Sequence, residues 1–200
     1  MHVVIFEVAP KPEHWDAYLA HAAALRPELL RIDGFIANDR YRSRTREGWL
    51  VSLSTWRDAA AVLRWRTHGG HRAVQADGRA RVFADYRLRV GVVADDDDAA
   101  AEAGATTADP ARAALLIEGG QDALDAAQRL TGALPGALAI ERFDAILDPG
   151  QGLLLGYWPD AAPDPPPLRG FRVRRIRILR SYGLRDRAEV PADLRDPDAP

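Results

Sequence analysis

Apolar positions change their spacing along the chain, and each change marks an element. Val3–Val8 is a short apolar run that predicts a strand, punctuated by Pro10, Lys11 and Pro12. Trp15, Tyr18, Leu19, Ala22, Leu25, Leu29 and Ile32 then recur at spacings of three and four, which predicts an amphipathic helix over Glu13–Ile32, closed by Asp33-Gly34. Phe35–Arg44 and Trp49–Trp56 read as two strands of a hairpin turning around Thr45–Gly48. Asp58 is placed to cap a second helix with Ala61, Val62 and Trp65 facing inward. Gly69-Gly70 break that helix, and His71–Asp77 is expected to form a short helical turn. Val82–Val93 alternates Tyr86, Leu88, Val90 and Val92 against Asp85, Arg87 and Arg89, the signature of a half-buried last strand.

The order β-α-β-β-α-β predicts a ferredoxin-like unit, a four-stranded antiparallel sheet with two helices on one face. Its other face lacks a cover. The chain supplies one itself, because Gly34–Asp58 aligns without a gap on Gly136–Asp160 at an offset of 102, with identities that include Gly34/Gly136, Arg40/Arg142 and Trp56/Trp158. Glu7 matches Glu118 at an offset of 111, and Arg87 and Arg89 match Arg175 and Arg177 at an offset of 88, so the second copy has lost nine residues early and fourteen late. The expected fold class is α+β: two ferredoxin-like units whose sheets pack face to face as an intramolecular α/β barrel.

The expected domains are 1–93; an acidic, Ala-rich linker at 94–110; a degenerate copy at 111–180; and a polar tail at 181–200, mobile unless it docks. Five prolines within Pro159–Gly170 exclude the second helix from the second copy. Its last strand, Phe171–Leu179, shows a parity slip that predicts a bulge near Arg174 and Arg175.

Composition narrows the chemistry. The chain has 200 residues and no cysteine, so thiolate catalysis and Cys-ligated metals are excluded. A net charge of -2 with interspersed signs argues against a nucleic-acid partner. No stretch has the length of a membrane span, and a strand at the start in place of a leader points to the cytoplasm.

VVIFEVAPKP, AALRPELLRIDGFI, LSTWRD, AVLRWR followed by HRAVQADGR, and FADYRLRV together resemble the antibiotic biosynthesis monooxygenase (ABM) domain of the dimeric α/β-barrel superfamily, across nearly all of residues 1–93. The second half is a more distant match, although RSYGLRDRAEVP at 180–191 is similar to the tail that follows the last strand in single-domain relatives. The resemblance implies a tandem fusion, with a pocket between sheet and helices in each active unit. It also implies oxygenation of phenolic, quinol or polyketide-like molecules without metal or flavin, so the expected partners are a small-molecule substrate and O2.

The expected catalytic residues are His71, at a frequent family position, and Trp65, at the family's pocket-lining position. Asn38, Tyr41, Ser52, Ser54, Trp56, His68 and Tyr86 are candidates for substrate contacts, of which half must face the other way. A heme-degrading branch of the family uses a first-strand Asn, the helix Trp and a later His. Here those positions hold Glu7 or Val8, Trp65 and Gln75, so heme remains an alternative ligand through another His rather than a substrate by that route. Glu7, recurring as Glu118, is expected to be structural, pairing with Arg40 or Arg142, and His14 and His21 are expected in solvent. The second copy lacks the Trp65/His71 helix, which predicts one competent site per chain, in residues 1–93. A heme- or hydrophobic-ligand-binding protein and an inactive scaffold are the other readings, and association into a further homodimer stays open.

Overall fold

A computed structural model of the chain describes residues 1–94, 109–132 and 134–191. The first unit contains β1 (His2–Pro10), a 3-10 turn at Pro12–His14, α1 (Trp15–Leu29), β2 (Phe35–Ser43), β3 (Leu50–Trp56), α2 (Ala59–Thr67), α3 (Gly69–Asp77), a π turn at Gly78–Val82, and β4 (Phe83–Val93). The second contains β5 (Ala113–Gly120), α4 (Gln121–Thr131), β6 (Ala139–Ala145), β7 (Gln151–Trp158) and β8 (Arg172–Gly183). The sheet orders β4-β1-β3-β2 and β8-β5-β7-β6 are the same ferredoxin-like topology twice. The sheets do more than face one another: β2 pairs with β6 and β4 with β8, closing an eight-stranded antiparallel barrel that leaves no sheet edge unpaired. No helix among the described residues is long and apolar enough to cross a membrane.

Local chemistry explains why the repeat is visible. Gly34 and Gly136 both sit at positive φ, +87° and +74°, where a Cβ is strained. The repeated tryptophans Trp56 and Trp158 are buried beneath their units' helices, each with its indole N–H bonded, to Ser54 Oγ and to the Pro135 carbonyl. The Asp58 side chain accepts from the Ala61 N–H and starts α2. His68 takes an extended conformation (φ −60°, ψ 128°) and ends it, so Gly69–Asp77 forms a separate nine-residue helix rather than a short turn.

Alternation divides each strand between two environments. Val3, Ile5, Val51, Leu53, Leu116, Phe143, Leu153, Leu155 and Ile176 point into the barrel and fill it. Glu7 also points inward and is buried, accepting from Arg46 (2.8 Å), Arg89 and the Tyr157 hydroxyl (2.7 Å). Across the barrel Glu118 accepts from Arg174 (2.6 Å) and the Tyr41 hydroxyl (3.1 Å). Each carboxylate thus takes an arginine from its own unit and a tyrosine from the other, and these charge-assisted bonds join the halves. The arginines that hold Glu7 are therefore Arg46 and Arg89 and not Arg40. Ile5 pairs with Arg89 and Leu116 with Arg174, so the last strands correspond at an offset of 85 rather than 88.

The bulge lies elsewhere than at Arg174 and Arg175, where β8 pairs with β5 without a shift. Phe171 and Val173 pack towards α4 while Ile176 and Ile178 enter the barrel, so both faces of this strand are apolar and no slip is needed. The register shifts against β4 instead, where Val90 opposes Arg180 and Gly91 opposes Ile178, leaving Leu179 as the extra residue. Beyond it β8 runs alongside the first unit. Residues 184–191 are not a loose tail: Leu184 N–H bonds the Tyr86 carbonyl, and Val190 is buried against Tyr18, Val82 and Tyr86. Most of the linker and residues 192–200 lie outside the described residues.

Candidate active site

Between the outer face of the first sheet and helices α1 to α3 lies a cavity of about 190 Å³. Its floor is the even-numbered face of the strands, with Val4 and Phe6 of β1, Asn38 and Arg40 of β2, Ser52, Ser54 and Trp56 of β3, and Tyr86, Leu88 and Val90 of β4. The helices bring Tyr18, Leu25, Trp65 and His71, and the second unit adds Arg180, Tyr182, Arg187 and Val190.

His71 packs flat on Trp65, ring centroids 4.3 Å apart and planes 19° from parallel, and its Nδ1 lies 3.0 Å from the Trp65 carbonyl oxygen. A carbonyl can only accept, so Nδ1 carries the hydrogen and Nε2 is left as a lone-pair acceptor, with no hydrogen-bond partner among the described residues. Burial drives the His71 pKa down to about 4, against the bond to the Trp65 carbonyl; His68 nearby lowers it further. At neutral pH the ring is uncharged and able to accept a proton.

The floor offers hydrogen-bond donors. Asn38 Nδ2 donates to Ser52 Oγ (2.9 Å) and to the Leu53 carbonyl (3.2 Å), and Trp56 Nε1 donates to Ser54 Oγ (2.9 Å). With these oxygens accepting, the two serine hydrogens remain for a ligand. Trp56 is 1% exposed, so it closes the floor chiefly as a core residue.

Two expected contacts are misplaced. Tyr41 lies three residues from Asn38, which puts it on the opposite strand face, inside the barrel on Glu118. His68 does not line the cavity; it stacks against Trp65, ring centroids 5.6 Å apart, with its Nδ1 3.3 Å from a Glu28 carboxylate oxygen. Conversely His21, expected in solvent, lines the cavity, as do Arg40, Arg66, Gln75 and Arg79. The clue to His21 was its position three residues after Tyr18 and four before Leu25, on one helix face. Arg180, Tyr182 and Arg187 had no local signal, because pairing with the distant strand β4, through the bulge at Leu179, decides which way the chain beyond it runs.

In the second unit the repeat offset puts Ile140, Leu154 and Gly156 where the first has Asn38, Ser52 and Ser54. Leu154 and Trp158 there pack with Leu124, Ala162, Leu168 and Phe171, so the Pro-rich segment and its neighbours form apolar core in the place of the missing helices. No group of three or more His, Asp or Glu among the described residues could hold a metal ion. Of the positions compared with the heme-degrading branch, Glu7 points into the barrel, Val8 packs with Tyr18 and Tyr86, and Trp65 and Gln75 line the cavity.

A family model described as antibiotic biosynthesis monooxygenase matches residues 1–77. A Jasmonate monooxygenase ABM from Pyricularia oryzae (strain 70-15) is 38% identical over 209 residues, covering 96% of this chain and 97% of that protein. Among solved structures, one of an antibiotic biosynthesis monooxygenase aligns at 20% identity over 48% of this chain and 100% of its own, with a TM-score of 0.43. Another, from Fusobacterium nucleatum subsp. nucleatum, aligns at 10% identity over 90% and 93%, with a TM-score of 0.44. With the alignment to the Pyricularia protein running through both units, and the family model falling on the unit that bears the cavity, the chain belongs to the antibiotic biosynthesis monooxygenase family.

Proposed function

We propose that the chain is a cofactor-independent monooxygenase that takes an aromatic, quinol or polyketide-like substrate and O2 into the first-unit cavity. The observation that carries this reading is the neutral, Trp65-stacked His71 in the cavity wall, with Nε2 left as an acceptor that no described residue engages. Nε2 accepts a proton from a substrate O–H, or from a C–H acidified by a neighbouring carbonyl or ring. The resulting anion transfers electrons to O2. For an activated methylene the balance is CH2 + O2 → C=O + H2O: the carbon is oxidised, one oxygen atom is kept and the other leaves as water, so no external reductant is needed.

Magnitudes decide which groups matter. A base near 4 falls about 6 units short of a phenol near 10, a gap of roughly 8 kcal/mol. Proton transfer is productive only where the anion is stabilised, and Ser52, Ser54 and Arg40 are the groups that do this, among apolar walls that exclude water. The name of the Pyricularia relative adds a jasmonate to the candidate substrates.

The test is oxygen uptake by the purified protein with chelator present and no flavin or heme added, over a panel of hydroquinones and jasmonate, with 18O2 to follow the oxygen. Uptake with one labelled atom per product is expected, with kcat lowered about 10²–10⁴-fold in His71→Ala. No uptake with any compound, or undiminished uptake in the variant, contradicts the reading.

A further inference from the structure

Five arginines line the cavity, Arg40, Arg66, Arg79, Arg180 and Arg187, and among the described residues no aspartate or glutamate does. Elsewhere the chain matches its buried arginines closely: Arg89 with Glu7 and Asp109, Arg174 with Glu118. Among the described residues no carboxylate pairs with Arg40, Arg79 or Arg180. Arg40 Nε is buried without a hydrogen-bond partner, and the Tyr18 phenol beside this guanidinium is a neutral companion, its pKa raised by burial with Arg40 opposing. At the other end of the cavity Tyr182 is surrounded in the same way. Burial and the neighbouring Tyr86 raise its pKa, and Arg66, Arg180 and Arg187 are all close enough to oppose them. Arg187 also donates to the Tyr86 hydroxyl at 3.2 Å.

Cations drawn together in a largely apolar cavity are costly unless a counter-charge arrives. A guanidinium also has the planar fork that matches a carboxylate. We propose that the cavity takes its ligand as a carboxylate, held by Arg40 from the first unit and Arg180 from the second, with the apolar body against Phe6, Leu25 and Trp65. This deepens the reading of the cavity as the substrate site and rests on it. It also gives the second unit a direct part in recognition: the Leu179 bulge turns Arg180 and Tyr182 away from the barrel and into the first unit's cavity.

Calorimetric titration of the full chain with octanoate and 4-phenylbutyrate, each against its primary amide, tests this at neutral pH and low salt. The acid of each pair is expected to bind about tenfold or more tightly than the amide, because charge-assisted bonds replace neutral ones. The preference should vanish as the pH falls below the acid's own pKa, a readout that needs no variant. In Arg40→Met/Arg180→Met, with its melting curve checked, the ratio should fall to about one. Equal binding of acid and amide overturns the inference while leaving the cavity reading in place. Binding by neither overturns both, and an undiminished acid preference in the double variant overturns the assignment to these arginines.

Discussion

His71 makes stability depend on pH in a way that can be worked out from its surroundings. Its folded pKa is near 4, against 6.5 for a histidine in water, the difference set mainly by burial against Trp65. Between those values the unfolded chain binds a proton that the folded chain rejects. The histidine's contribution is therefore complete above pH 6.5 and is lost as the pH falls towards 4. Integrating the two titrations from pH 7 to pH 5 gives a loss of about 2 kcal/mol from this one ring. The assay is urea unfolding of the wild type and of His71→Gln at both pH values. Carboxylates elsewhere titrate alike in the two proteins and cancel in the double difference. The wild type should lose about 2 kcal/mol more than the variant on going from pH 7 to pH 5. Parallel losses in the two proteins would refute the neutral, stacked histidine and the proton-acceptor role built on it.

Tyr157→Phe removes a hydroxyl bonded to the buried Glu7 carboxylate inside the barrel, and should cost about 1.5–3 kcal/mol in urea unfolding. Ligand affinity should not change, because the ring does not line the cavity. Gly34→Ala meets both a φ of +87° and the Ala61 Cβ at 2.6 Å, whereas Gly136→Ala meets a φ of +74° with its nearest neighbour at 3.8 Å. Both should be destabilised by about 1–3 kcal/mol, with Gly34→Ala the worse of the two; equal melting temperatures would contradict that.

The topology was legible because it is local. Asp33-Gly34, Asp58 and the prolines of 159–170 each act within a few residues of their place in the chain, and the repeat announced the second sheet through Gly34/Gly136 and Trp56/Trp158. The part of the cavity lining on the first sheet was legible for the same reason, since alternation puts Asn38, Ser52, Ser54 and Tyr86 on one face. Tyr41 was misread only because a hairpin position alone does not say which face is the cavity side. The remainder depends on tertiary pairing. Arg40 could be assigned to Glu7 by strand proximity, yet inside and outside of a closed barrel separate them. Arg180 and Arg187 reach the cavity because β8 outruns its own sheet and pairs with β4, a decision made at Leu179 by a partner about ninety residues away. The Phe171/Ile176 parity change signified a strand buried on both faces, which alternation cannot distinguish from a bulge.

The cavity walled by the first unit and completed by the end of the second is where the proposed ligand binds. A crystal structure of the full chain soaked with a bound carboxylate, together with its calorimetric stoichiometry, measures this directly. One molecule per chain is expected, lying between Trp65, His71 and Ser52 with its charged end towards Arg40 and Arg180. Two molecules per chain, or density under α4 in the second unit, would contradict it.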